Sequence, residues 1–187
     1  MENRIRAVQS AIEQLRRGRE RILVAIDGRC GSGKTTLAAA LSERYGYPVV
    51  HMDDFFLRPE QRTEERLATP GGNVDRERFL EEVLLPFKSG KPVFFRPFSC
   101  RTMTLCDPQL LRESPVTLVE GSYACHQELR EYYDLRIFLD IDPATQMERI
   151  IRRNGPEKAE EFRRRWIPLE ELYFSAMDVA ACCALIL

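Results

Sequence analysis

Histidine is scarce in this chain, with two among 187 residues, and the six cysteines at 30, 100, 106, 125, 182 and 183 include no Cys-x-x-Cys pair. Zinc sites of the usual spacing are therefore excluded, and the thiols read as reduced, buried small hydrophobes. Neither charge sign is in excess: 28 basic and 29 acidic residues leave a formal charge of −1. No global positive field exists to draw the chain to nucleic acid or to an anionic membrane. The apolar runs fall far short of the roughly 18 residues that a membrane span needs. Met1-Glu-Asn-Arg-Ile-Arg6 is charged and lacks the apolar centre of a signal peptide. Internal repeats and low-complexity tracts are missing, as is the Asn-Lys-x-Asp that a guanine-reading switch requires. These absences lead to the expectation of a soluble, cytoplasmic, single-domain protein with no nucleic-acid or membrane partner, long enough to close one full core.

What is present is concentrated in one stretch. Gly28-Arg29-Cys30-Gly31-Ser32-Gly33-Lys34-Thr35 fits G-x-x-x-x-G-K-[ST], a loop that wraps the phosphates of a nucleoside triphosphate. The apolar run 21–27 precedes it and reads as a buried strand; 36–44, rich in strong helix formers, follows it. Glycines let successive N–H groups converge on phosphate oxygens where a Cβ would stand in the way, and the next helix aims its positive end at the same spot. Lys34 adds a cation for the outer phosphates, and the Thr35 hydroxyl is a ligand for Mg²⁺. A chance glycine turn is the plain alternative, but Gly is only about 7% of an average protein, which makes this spacing rare by accident. Gly28, Gly31, Ser32, Gly33, Lys34, Thr35 and Thr36 are thus the expected nucleotide-binding residues, with ATP and Mg²⁺ as cofactors.

The rest of the chain alternates. An amphipathic helix is expected within 1–19, with Ile5, Val8, Ile12 and Leu15 on one face, and its outer position leaves a homodimer contact open. Strands are expected at 49–53, 116–120, 135–141 and 183–187; helices follow Asp75 and Pro143 and fill 157–177. Segment 54–74, with two prolines and Gly71-Gly72, reads as a mobile loop, and 91–105 as a small hairpin. Strands alternating with helices imply an α/β fold: three layers, with a five-stranded parallel sheet flanked by helices. One domain, 1–187, would carry an acceptor-binding insert at 54–105 and a small helical lid at 149–168.

Ligands of such sheets bind at the carboxyl ends of the strands. That rule gathers the phosphate loop, Asp53, Glu120 and the turn after Asp140 on one rim. Asp53, in Met-Asp-Asp-Phe-Phe, suits a base for an incoming hydroxyl and a water-mediated Mg²⁺ partner; a helix cap or ion pair is the alternative. Glu120, closing an apolar strand, suits Mg²⁺ or its waters. Arg149, Arg152 and Arg153 share a helix face and offer planar, permanently charged forks to a transferring phosphoryl group. Arg163 to Arg165 read instead as a solvated face, and Trp166, Tyr173 and Phe174 as core. Asp75, Phe94, Phe98 and Arg101 are candidates for lining the acceptor pocket.

Ile-Asp-Gly-Arg-Cys-Gly-Ser-Gly-Lys-Thr-Thr-Leu-Ala, Met-Asp53-Asp54-Phe-Phe, Asn73-Val-Asp75, Leu-Val-Glu120-Gly and Arg149-Ile-Ile-Arg152 resemble, in that order, the uridine kinase and phosphoribulokinase family of P-loop kinases, which includes nicotinamide riboside kinases. The resemblance spans most of 21–175. It implies a P-loop NTPase fold and ATP-dependent phosphorylation of a hydroxyl on a small nucleoside-like or ribosyl compound. It also implies Asp53 as the base, Asp75 as a contact to the substrate ribose, and Arg149 and Arg152 as lid residues. One departure stands out. Pro92-Val93 is followed by Phe94-Phe95-Arg96-Pro97-Phe98-Ser99, without the tyrosine and histidine with which uridine–cytidine kinases read the pyrimidine. A nucleotide-binding regulator with little turnover is the competing expectation.

Overall fold

Apolar residues at both parities of the first strand show why the centre of this protein is a sheet covered on two faces. In the computed structural model, which describes all 187 residues, helix α1 is Glu2–Leu15, strand β1 is Ile22–Gly28, helix α2 is Lys34–Tyr45 and strand β2 is Val49–His51. Every residue of β1 is buried. Ile22, Val24 and Ile26 pack with Val8 and Ile12 of α1 and Leu37 and Leu41 of α2, whereas Leu23 and Ala25 join the opposite core. The two-residue period of a strand assigns alternate side chains to opposite layers.

After β2 the chain makes a 3₁₀ turn, Met52–Phe55, and a second, Pro59–Gln61, then helix α3, Glu64–Ala68. Helix α4 runs as Arg76–Phe79, a π-turn Leu80–Leu84 and Leu85–Lys88. Four two-residue strands come next: β3 Phe94–Phe95, β4 Phe98–Ser99, β5 Thr104–Leu105 and β6 Gln109–Leu110. They are followed by β7 Val116–Glu120, β8 Leu135–Leu139 and helix α5 Pro143–Asn154. Helix α6 is Pro156–Glu161 continued by a π-turn Phe162–Trp166 and Ile167–Ala176, and β9 is Leu185–Ile186. The main sheet has the order β2-β7-β1-β8-β9, with every pairing parallel. No helix is long and apolar enough to cross a membrane.

The expected sheet is present, with three differences around it. The strand expected at 49–53 stops at His51, and Asp53 lies in the 3₁₀ turn beyond. Segment 54–74 is not an unstructured loop: Thr63 caps α3 through its hydroxyl, and the Arg66 guanidinium donates to the carbonyls of Gly72 and Val74 and pairs with Glu77. One long side chain thereby satisfies backbone groups that the prolines and glycines leave without partners. The hairpin expected at 91–105 is two ribbons, β4 with β5 and β3 with β6, and reaches past its expected end to Leu110. The apolar stripe of α1 is packed against its own sheet layer and is not a free dimer surface.

Candidate active site

Gly28 ends β1 with φ +134, and a Cβ there would run into the carbonyl of Leu139 on the adjoining β8. Only glycine allows the chain to leave the sheet so close to its neighbour. The loop that follows turns its carbonyls outward onto side chains. Lys34 Nζ donates to the carbonyls of Gly28 and Arg29 at 2.5 and 3.0 Å, Gln146 Nε2 to that of Cys30 at 3.0 Å, and Arg149 Nη1 to that of Gly31 at 3.0 Å. The amides of Gly31, Gly33, Lys34, Thr35 and Thr36 make no backbone hydrogen bond. The Ser32 hydroxyl is buried without a partner. Free donors at a helix N-terminus, an orphaned hydroxyl and a lysine form a cradle suited to a polyphosphate.

Two acids hold this loop from behind. Asp27 is fully buried; it accepts from the amides of Gly28 at 2.6 Å and Cys125 at 2.8 Å and from the Tyr173 hydroxyl at 2.8 Å. Burial raises its carboxyl to about 6, against those hydrogen bonds and the Lys34 charge. Glu170, on α6, accepts from the Cys30 amide at 2.9 Å and from the Ser122 hydroxyl at 2.5 Å. Sequence reasoning singled out neither residue. Asp27 reads as one more position of an apolar strand, and Glu170 as one acid in a charged helix; only the fold brings them under the loop.

A cavity of about 890 Å³ opens over the cradle. Its walls include Gly31 to Thr36, Asp53, Glu120, Arg149 and Arg152 together, so these expected site residues converge. The Thr35 hydroxyl is 3.2 Å from Glu120, and Glu120, nearly buried, also meets His51 Nδ1 at 2.6 Å. The hydrogen bond to Glu120 raises the His51 pKa. Asp53 faces the cavity; restricted solvation first, and the Glu120 charge second, raise its carboxyl above the ordinary aspartate value. No group of three or more His, Cys, Asp or Glu side chains is arranged to hold a metal ion by itself. Thr35 with one or two carboxylates fits Mg²⁺, which keeps several waters and leans on substrate phosphates, and does not fit a cation held in an all-protein cage.

Other expected residues lie elsewhere. Gly28 starts the loop but shapes it from below, outside the cavity wall. Asp75 caps α4, accepting from the Arg78 amide at 3.2 Å, and pairs with Arg78 at 3.3 Å and Arg58 at 3.6 Å, so its carboxylate is occupied. Phe94 is 56% exposed on β3, and Arg101 sits in the exposed turn between β4 and β5. None of these three lines the cavity, whose lining does include Phe56, Asn73, Ser122 and Tyr123. Phe98 is buried beneath the ribbon. Asp140 lies outside the cavity and pairs with Arg29. Trp166, expected in the core, lines the cavity with Phe162; both lie in the π-turn of α6. Tyr173 and Phe174 are core, as expected. Arg163 and Arg164 pair with Glu160 on an outer face.

The sequence profile of the AAA domain family matches residues 24–167, from the first strand into helix α6. The chain belongs to the AAA domain family. It is 27% identical over 158 residues to a uridine kinase of Geobacillus kaustophilus, covering 78% of this chain and 72% of that one. It is 31% identical over 178 residues to a bifunctional alpha-galactosidase/sucrose kinase of Mediterraneibacter gnavus, covering 81% of this chain and 18% of the relative. A solved structure described as a possible uridine kinase from Bacillus stearothermophilus shares the fold, with a TM-score of 0.64 at 20% identity over 96% of this chain and 98% of that one. The fold is that of uridine kinase-like P-loop kinases.

Proposed function

We propose that this AAA-domain chain is an ATP-dependent kinase that phosphorylates, with Mg²⁺, a hydroxyl of a small nucleoside-like or ribosyl compound. One observation carries the reading: the Asp53 carboxylate opens into the same cavity as the unpaired loop amides, Lys34, Thr35 and Glu120. Phosphoryl transfer asks a protein for charge neutralisation, a proton acceptor and exclusion of water. The loop amides and Lys34 answer the first by holding the donor's phosphates. Thr35 and Glu120 would hold Mg²⁺, which when bound spreads the phosphate charge. Asp53 takes the proton of the acceptor hydroxyl as its oxygen bonds to the terminal phosphorus and the bond to the departing diphosphate breaks. A raised carboxyl pKa suits that task, since a stronger base accepts the proton more readily. Arg149 and Arg152, with Phe162 and Trp166 on the α5–α6 hairpin, cover the transfer and limit water.

The acceptor wall is Phe56, Asn73, Ser122 and Tyr123: two aromatic rings with an amide and a hydroxyl beside them. It suits a hydroxylated ring compound. Uridine itself is not singled out: the Phe94–Ser99 stretch supplies no tyrosine or histidine for a pyrimidine and lies outside the cavity wall. ADP release over a panel of nucleosides, nicotinamide riboside, pantothenate and sugars tests this. Turnover on a nucleoside or ribosyl compound is expected; tight ATP binding without turnover on any acceptor would replace the kinase reading with that of a nucleotide sensor.

A further inference from the structure

Four carbonyls of the phosphate loop are held by lysine, glutamine and Arg149 from residues inside the family match. The fifth is held from outside it. Arg4, on α1, donates from Nη1 to the Ser32 carbonyl at 3.0 Å, lies close to Gly33 and is among the residues that line the cavity. Resting on the kinase reading, we propose that Arg4 is a positioning and binding residue for the phosphate donor, which makes α1 part of the nucleotide site.

The reason lies in peptide geometry. The Ser32 carbonyl and the Gly33 N–H belong to one planar trans unit, in which they point in opposite directions. Drawing the carbonyl outward to Arg4 turns the Gly33 amide inward, where it has no acceptor in the fold. Gly33 has φ +101 and no Cβ, so no side chain at that position restricts the orientation; the peptides on either side are held by the Ser32 N–H to Arg29 and Leu37 N–H to Gly33 hydrogen bonds, and the Ser32 carbonyl itself by Arg4. The hold comes from α1, which is firmly seated. Ile5, Val8 and Ile12 are buried, Glu2 pairs with Arg44 of α2 at 2.8 Å, and Gln9 accepts from the Tyr47 hydroxyl at 3.0 Å. Arginine offers more donors than the one used on Ser32, and it does not lose its charge. Its Nη2 is directed at the Asp140 carbonyl at 3.5 Å, and Arg4 is among the residues that line the cavity, where it adds a cation close to Gly33.

Calorimetric titration of the full chain with MgADP and with a non-hydrolysable ATP analogue tests this directly. Arg4→Ala is expected to weaken both by about tenfold or more, the loss typical of one charge-assisted hydrogen bond. Arg4→Lys, which keeps the charge without the fork, should fall between Arg4→Ala and wild type. Arg6→Ala, on the exposed side of the same helix, should bind as wild type. In turnover, KM for the nucleotide should rise while the acceptor KM stays put and kcat at saturation changes less than about threefold. A purely structural role would instead lower the melting temperature and leave the affinity of the folded fraction unchanged. If Lys34→Ala loses binding and Arg4→Ala stays within twofold of wild type, the role of Arg4 is overturned and the kinase reading stands. If the wild-type chain binds neither nucleotide, both fall.

Discussion

His126 is a histidine kept neutral by its surroundings. It is 2% exposed, lies parallel to the Tyr173 ring, and burial followed by the Arg76 charge holds its pKa down at about 4. In the unfolded chain the same imidazole takes a proton near 6.5. The folded state therefore binds fewer protons between those values, and its stability falls as pH drops from about 6.5 to about 4. The linkage amounts to about 3 kcal/mol. Denaturant titrations at pH 7 and pH 4.5 should show His126→Gln retaining more stability at the lower pH than wild type does, relative to pH 7, whatever other groups titrate over that range. Asp27 works in the opposite sense: its carboxyl, raised to about 6, favours the folded state at low pH and withdraws that support as pH rises from about 4 to about 6. An equal acid sensitivity in wild type and His126→Gln would mean that the imidazole is charged in the fold. Residues at this scale were legible in part. Lys34, Thr35, Asp53 and Glu120 are singled out by their positions along the chain, and the fold brings them to one cavity. Asp27, His51 and Glu170 are not, because each matters through a partner dozens of residues away.

At the scale of elements, the strand-loop-helix unit rests on two tight contacts. Gly28→Ala would press a Cβ into the backbone of Leu139 at a φ that side chains rarely adopt. Its cost should exceed about 3 kcal/mol, beyond ordinary point changes, or leave no folded protein to melt. Ile12→Ala, in the fully buried stripe of α1, should cost about 2–5 kcal/mol in chemical denaturation. A value near zero there would mean that α1 is not docked as described, and would remove the support for Arg4. The regular elements were legible because hydrophobic period and capping residues act locally: Pro143 opens α5 at its first turn, and Asp75 caps α4 through its carboxylate. The same local cap explains why Asp75 is unavailable to a ligand. The segment after β2 was harder to read. Its order comes from Arg66 reaching Gly72, Val74 and Glu77, an arrangement that no periodicity encodes. Trp166, read as core, lies in the π-turn, where a stripe of 3.6 residues per turn no longer holds; Tyr173 and Phe174, in the regular helix beyond it, are core as expected.

For the molecule as a whole, the sheet order sets β1 between β7 and β8 and brings the phosphate loop, Glu120 and the Asp53 turn to the same ends of parallel strands. Residues of α5 and α6 line the cavity above them, and Glu170 ties α6 back to the loop at Cys30. Nucleotide binding should therefore stabilise the entire domain. At 100 times the dissociation constant a ligand adds about 2.7 kcal/mol, enough to raise the melting temperature by about 5–10 °C in a chain of this size. Lys34→Ala should lose most of that rise, and chelation of Mg²⁺ should reduce it.

The most direct test compares wild type with Asp53→Asn on whichever acceptor gives turnover, measuring kcat and the nucleotide KM separately. If Asp53 accepts the hydroxyl proton, kcat should fall by about 10²–10⁴-fold while the nucleotide KM stays within about threefold. Unchanged turnover in Asp53→Asn would contradict the assignment of the base and, with it, the mechanism built around that cavity.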